Sequence, residues 1–401
     1  MSPSTHLPRV LSVLLALAAL VLGVGLTGTS RAALPAQAAR ADRPDPLRSQ
    51  QWALDLVRAD QAWKRSTGRG VVVAVVDSGV DREHPDLQGQ LTSGATFGGC
   101  PDPTVSCGDG RWTGVRNPDG NAMDPFALYQ AGLDIVINSH GTHVAGIIGA
   151  ATHNGIGISG VAPDVRIMPV KVLNNGTGNI DAVVSGIRWA ADHGADVINL
   201  SLGAEPGAEV TGPGELAALH AAAEYAVRSG AVVVAAAGNF QLYPLCSAPA
   251  DTPGVLCVTA VGSTGLPSPF SQLGYVVQPD LTLRQDTVAA PGGFGGLDSG
   301  AICETTPASD VVSTVPVGFT FGCYGTATPY ARMGGTSMAA PHVAGIAALL
   351  LAQCRRPADV IQVIEDTARI PLLGRAPAFL PYYGRGIVDA AAAVAAPGAR
   401  C

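Results

Sequence analysis

Three polar residues stand where an alcohol can be made into a nucleophile. Asp77 closes the apolar run Val71-Val72-Val73-Ala74-Val75-Val76 and is followed by Ser78-Gly79-Val80-Asp81. His140 opens His140-Gly141-Thr142-His143-Val144-Ala145-Gly146, and Ser337 lies in Gly334-Gly335-Thr336-Ser337-Met338-Ala339-Ala340-Pro341-His342 at the head of another apolar stretch. Acyl transfer through a hydroxyl needs a base to take its proton and a carboxylate to fix the tautomer of that base and steady the imidazolium. Taken singly, each residue has a plainer reading: an Asp before Ser-Gly starts a turn, a His is a buried hydrogen-bonding group, and a Ser caps a helix. Taken together they supply every part of a catalytic triad.

Other chemistry is excluded by context. His140 and His143 lack the Glu of H-E-x-x-H, so a catalytic metal pair is not implied. Gly155-Ile156-Gly157-Ile158-Ser159-Gly160 matches G-x-G-x-x-G, but it follows a helical stretch and precedes a strand, the reverse of the dinucleotide-binding order, so no nucleotide cofactor is implied. A charged fraction of 14%, a net charge of −7 and no run of basic residues argue against a nucleic-acid partner.

These residues must be held by a scaffold, and its pattern is legible. Residues 71–76, 165–172, 197–202, 232–237 and 255–261 are predominantly apolar runs, as parallel strands covered on both faces should be. Helical stretches at 140–151, 180–193, 215–229 and 337–353 alternate with them. The expected fold is a doubly wound α/β domain, a parallel sheet with helices on both faces. Asp77 then lies at the carboxyl end of one strand, where sites in such sheets form. Long segments at 92–138 and 292–330 read as functional or stapled loops.

The amino terminus sets the compartment. Arg9, the apolar run 10–26 and the A-x-A tripeptide Ala36-Gln37-Ala38 read as a signal peptide over 1–38, so the mature chain is expected to be secreted. A polar lead-in with Pro44 and Pro46 covers 39–50, and a single domain covers 51–401. The last residues, 386–401, contain no membrane span. The 8 cysteines of an exported chain are expected in disulfides, and their order suggests Cys100 with Cys107, Cys246 with Cys257, Cys303 with Cys323, and Cys354 with Cys401.

The sequence resembles the subtilisin-like serine proteases, the subtilases. The likeness is carried by D-S-G-V-D at 77–81, H-G-T-H-V-A-G at 140–146 and G-T-S-M-A-A-P-H-V-A-G at 335–345, with V-A-P at 161–163, S-L-G at 201–203, A-A-G-N at 236–239 and V-A-A-P-G at 288–292. The order Asp, His, Ser is also that of subtilisin among triad enzymes, and the absence of a second glycine after Ser337 separates it from the G-x-S-x-G hydrolases. The resemblance implies a secreted serine endopeptidase acting on polypeptides through an acyl-enzyme. In it Asp77, His140 rather than His143, and Ser337 form the triad, and Asn239 joins the Ser337 N–H in an oxyanion hole. Ser201, Leu202, Gly203 and Gly238 would line the substrate.

Catalysis of this kind needs no cofactor. The family likeness places a structural calcium ion near Asp86 and Asn154, with no evident ligand from the N-terminal segment. Gln51-Trp52-Ala53-Leu54, Ala62-Trp63 and the short lead-in resemble the mycosins, subtilases that accompany type VII secretion, and so raise a secretion-system association. A free extracellular protease of broad activity is the alternative within the class, and a catalytically inactive peptide-binding protein of the same fold is the alternative outside it.

Overall fold

A computed structural model describes residues 43–112, 139–174, 177–204, 212–241, 243–277, 283–284, 286–295, 300–301, 309–317, 328–370 and 380–398. The expected signal peptide lies outside these residues.

The scaffold is a seven-stranded sheet. Its strands are β1 (Val72–Asp77), β2 (Ala95–Thr96), β3 (Arg166–Lys171), β4 (Val197–Leu200), β5 (Val232–Ala236), β6 (Val255–Val261) and β7 (Thr287–Pro291). They lie in the order β7-β6-β5-β4-β1-β3-β2, and every pairing is parallel. From β1 the chain first builds outward through β2 and β3, then returns to the other side of β1 with β4. The reversal leaves a crevice at the carboxyl ends of β1 and β4, the place where doubly wound sheets bind their ligands.

Strand alternation builds two cores. Val73 and Val75 pack with helices α1 (His140–Gly149) and α4 (Thr336–Leu351), whereas Ala74 and Val76 face α2 (Ile180–Asp192) and α3 (Pro213–Arg228). Helix α4 is buried almost all round, with Met338, Ile346 and Leu349 among the largest enclosed side chains. Each such side chain contributes roughly 1.5–3 kcal/mol by leaving water. That anchoring is what makes the first turn of α4 a rigid platform. The helix α5 (Pro357–Thr367) packs behind it.

The expected fold class is correct, and several boundaries move. Helix α1 ends at Gly149 rather than 151, α3 begins at Pro213, and β4 stops at Leu200, so Ser201 and Leu202 lie beyond the strand. Strand β7 and the short edge strand β2 were not anticipated. Nor was the antiparallel pair β8 (Val311–Thr314) and β9 (Tyr330–Met333) that backs α1. Gly146 permits that packing, since a Cβ there would stand 2.3 Å from Thr314 Oγ1.

The lead-in is not merely extended. Residues 43–50 dock on the loop that follows α1, with a short 3-10 turn at Arg48–Gln50. The Arg43 N–H donates to the His153 carbonyl at 3.3 Å, and the Leu47 N–H donates to the Gly157 carbonyl at 2.7 Å. Among the described residues no helix is long and apolar enough to cross a membrane.

Candidate active site

Asp77 is the last residue of β1 and is fully buried. One of its oxygens accepts the Ser78 N–H at 2.7 Å. The first residue of α1 stands against it: His140 Nδ1 lies 2.8 Å from Asp77 Oδ1 and 3.0 Å from Oδ2. A carboxylate can only accept, so Nδ1 carries the proton and Nε2 is the basic nitrogen of the neutral ring. Gly141 allows the approach, because a Cβ there would meet the Gly79 carbonyl oxygen at 2.3 Å. The Gly141 N–H donates to Ser78 Oγ at 3.0 Å and ties the helix start to the same turn.

Burial pushes the His140 pKa down, but the Asp77 charge and the hydrogen bond together more than offset it, leaving the group above its ordinary 6.5. His143 has a different role. It is fully buried, with Nε2 facing the carbonyls of Val311 and Ala331 at 3.1 and 3.2 Å, and burial holds its pKa down at about 3. It stays neutral and joins α1 to β8 and β9.

Ser337 occupies the first turn of α4, with its hydroxyl donating to the Ser201 carbonyl at 3.1 Å. Among the described residues that carbonyl, and not His140, is its partner. Asn239 lies beyond the end of β5. Its Oδ1 accepts from the Thr336 N–H at 2.9 Å and the Thr336 hydroxyl at 3.0 Å, while its Nδ2 has no partner among the described residues. Gly335 keeps the space before it clear: a Cβ there would lie 3.6 Å from Asn239 Nδ2 and 3.7 Å from the Ser337 nitrogen. Gly238, at φ +112°, turns the chain after β5, and a side chain there would collide with Gln272. Its N–H donates to Thr336 Oγ1 at 3.1 Å.

Asn239 Nδ2 and the Ser337 nitrogen thus lie on either side of Gly335, beside a helix N-terminus that favours negative charge. Ser201 lies at this centre, whereas Leu202 and Gly203 continue beyond β4 toward Ala204, whose N–H donates to Ala248 O at 2.8 Å.

The calcium expectation does not fit the donor set. Asp86 Oδ1 accepts from Asn154 Nδ2 at 3.0 Å, and Oδ2 accepts from the Ile158 N–H at 2.9 Å and the Tyr330 hydroxyl at 3.0 Å. The Asn154 Oδ1 is taken by the Ile156 N–H at 2.8 Å, which turns Nδ2 toward Asp86. A calcium cage needs converging oxygens, whereas here N–H and O–H donors converge on a carboxylate. Among the described residues no group of three or more His, Cys, Asp or Glu side chains is placed to hold a metal.

Next to it lies Asp45 of the lead-in, which the sequence reading passed over. Its carboxylate accepts from the N–H groups of His153, Asn154 and Gly155 at 3.0, 3.0 and 3.3 Å, and from the hydroxyls of Thr152 and Ser159 at 3.2 and 2.6 Å. Its only sequence signal is an Asp between two prolines.

Two of the four expected disulfides are present, Cys100–Cys107 and Cys246–Cys257. The second joins β6 to the segment that runs on from Asn239. Cys354 is also disulfide-bonded. Cys303, Cys323 and Cys401 lie outside the described residues.

Residues 68–391 match the family model described as the subtilase family. The chain belongs to that family. This subtilase is a serine-type endopeptidase and acts on polypeptides. It is 36% identical to thermitase from Thermoactinomyces vulgaris over 349 residues, which is 86% of this chain and 96% of that protein. It is 37% identical to subtilisin from Bacillus pumilus over 335 residues, 82% of this chain and 92% of the relative. Among solved structures it is similar to a protease of Pseudoalteromonas arctica, with a TM-score of 0.66, 31% identity, and coverage of 88% of this chain and 99% of that one.

Proposed function

We propose that this subtilase is an exported endopeptidase in which Asp77, His140 and Ser337 form the catalytic triad and Asn239 the oxyanion hole. The observation that carries the reading is the pairing of both Asp77 oxygens with His140 Nδ1, at the carboxyl end of β1, in the crevice that also holds the first turn of α4. In the working cycle the Ser337 hydroxyl leaves the Ser201 carbonyl and gives its proton to His140 Nε2 as its oxygen attacks the scissile carbonyl. Asn239 Nδ2 and the Ser337 N–H then receive the oxyanion. The imidazolium gives its proton to the amine as the C–N bond breaks; water then attacks the ester with His140 again as base, and His140 returns that proton to Ser337 Oγ as the acid departs. His140 is suited to this by the Asp77 charge, which stabilises the protonated ring.

Export is supported by the charged, apolar and A-x-A pattern of residues 1–38 and by two disulfides among the described residues. A similar protein from Xanthomonas campestris is named an extracellular protease. Substrate is proposed to bind beside Ser201, Leu202, Gly203 and Gly238 as an added extended strand. The association with a secretion system rests on the mycosin-like start of the domain alone.

Labelling the mature protein with a fluorophosphonate probe and mapping the modified peptide tests the triad. Adduct at Ser337, lost when His140 is replaced by Ala, is the expected result. Failure to label a folded protein that still hydrolyses peptides would overturn the assignment.

A further inference from the structure

Proline inside a helix removes one internal hydrogen bond and crowds the carbonyl four residues before it. In α4 the proline is Pro341, and the carbonyl four residues earlier belongs to Ser337. The backbone acceptor left without its helical donor is therefore that of the proposed nucleophile. Its replacement donor comes from another element: Ser201 Oγ donates to the Ser337 carbonyl at 2.8 Å. Ser201 is itself held, since its hydroxyl accepts from Asn199 Nδ2 at 2.9 Å. Asn199 is fully buried on β4, and its Oδ1 has no partner among the described residues, so its amide is committed to Ser201.

We propose that Ser201 is a positioning residue for Ser337, supplying through Asn199 the hydrogen bond that Pro341 withholds and so setting the direction of the Ser337 hydroxyl and N–H. This rests on the reading of Ser337 as the nucleophile. The design follows from what each partner can do. An ordinary residue at 341 would bind the Ser337 carbonyl within the helix and leave the first turn indifferent to the strand. With proline there, the turn takes its orientation from the end of β4, the element beside which substrate is proposed to lie. The Ser337 hydroxyl returns the contact to the Ser201 carbonyl at 3.1 Å, so the two residues are joined in both directions.

The experiment compares wild type, Ser201→Ala, Pro341→Ala and the double variant. It reads kcat and KM on a chromogenic peptide, the rate of fluorophosphonate labelling at Ser337, and the melting temperature. Ser201→Ala should lower kcat and the labelling rate by about tenfold, equivalent to about 1.4 kcal/mol of barrier, with KM within about twofold. Pro341→Ala restores an N–H opposite the Ser337 carbonyl, so the double variant should recover to within about threefold of Pro341→Ala alone. Ser201→Thr, which keeps the hydroxyl, should lose less of the labelling rate at Ser337 than Ser201→Ala does.

Should Ser201→Ala fail to fold, Ser201→Cys, whose thiol is a weak donor, enters the same scheme. Unchanged kcat in the Ser201 variant, or a deficit that Pro341→Ala does not relieve, would sink the proposal. Absence of labelling at Ser337 in wild type would instead defeat the nucleophile reading beneath it.

Discussion

Asn239 Oδ1 accepts two hydrogen bonds from Thr336, one from its N–H at 2.9 Å and one from its hydroxyl at 3.0 Å. Thr336 is the first residue of α4 and the neighbour of Ser337. The amide that would meet the oxyanion is thereby locked to the same helical turn as the proposed nucleophile, and its Nδ2 has no partner among the described residues. Preorganisation of this kind costs nothing at the moment of reaction.

On the proposed assignment, Asn239→Ala removes one of two donors to the developing oxyanion and should leave the ground-state complex largely intact. We expect kcat to fall by roughly 10² to 10³ with little change in KM. Steady-state kinetics on a peptide anilide decides it, and a variant with undiminished kcat would remove Asn239 from the site.

Ser337→Ala should abolish peptide hydrolysis without unfolding the protein, because Ser337 is not among the buried residues that hold α4. Circular dichroism melting of this variant against wild type inhibited at the serine should give transitions within a few degrees of each other. Residual turnover well above the uncatalysed rate would require another nucleophile.

The pH profile carries the Asp77–His140 pair. His140 has a raised pKa in the free enzyme, so kcat/KM should fall on the acid side with an apparent pKa above 6.5. The pairing also stabilises the fold. A folded pKa above the unfolded value contributes stability that is complete below the unfolded pKa and is lost as pH rises through the folded one. Asp77→Asn should move the acid limb down and lower kcat by roughly 10⁴, as the loss of the orienting carboxylate does in such triads. An acid limb that stays in place in Asp77→Asn would show that another group governs it.

The corner formed by Asp45, Asp86 and Asn154 should be independent of calcium. We expect any change in the melting temperature of the Ser337→Ala protein, which cannot digest itself, between chelator and millimolar calcium to be unaltered by Asp86→Ala. Asp45→Ala leaves the loop donors without their acceptor and should cost roughly 2 kcal/mol or more, seen as an earlier transition. A calcium-dependent rise in the melting temperature that Asp86→Ala abolishes would show that an ion binds there after all.

Non-reducing peptide mapping should join Cys354 to Cys401. Cys354 is engaged in a disulfide, and this pairing would tie the chain end to the segment after α4. A Cys354 peptide linked to Cys303 or Cys323 would replace the sequential scheme with a crossed one.

Much of this protein is determined by the sequence alone, wherever the signal is local. Predominantly apolar, valine-rich runs mark β1, β5 and β6, because a strand covered on both faces must be largely apolar. Asp77, His140, Ser337 and Asn239 each sit at a strand end or helix start that neighbouring residues announce. The tertiary structure decided what depends on distant partners. His140 finds Asp77 across 63 positions, Asn239 finds Thr336 across 97, and Ser201 finds Ser337 across 136.

Pro341 was visible in the sequence, but the carbonyl it frees acquires a partner only when the end of β4 is laid against the start of α4. In the same way Asp45 reads as part of a polar lead-in until the loop after α1 turns its N–H groups toward it. Asn154 reads as a metal ligand until its Oδ1 is seen to be occupied. A hydrogen bond is set by which groups converge in space, and residue types along the chain carry that information only when the partners are neighbours.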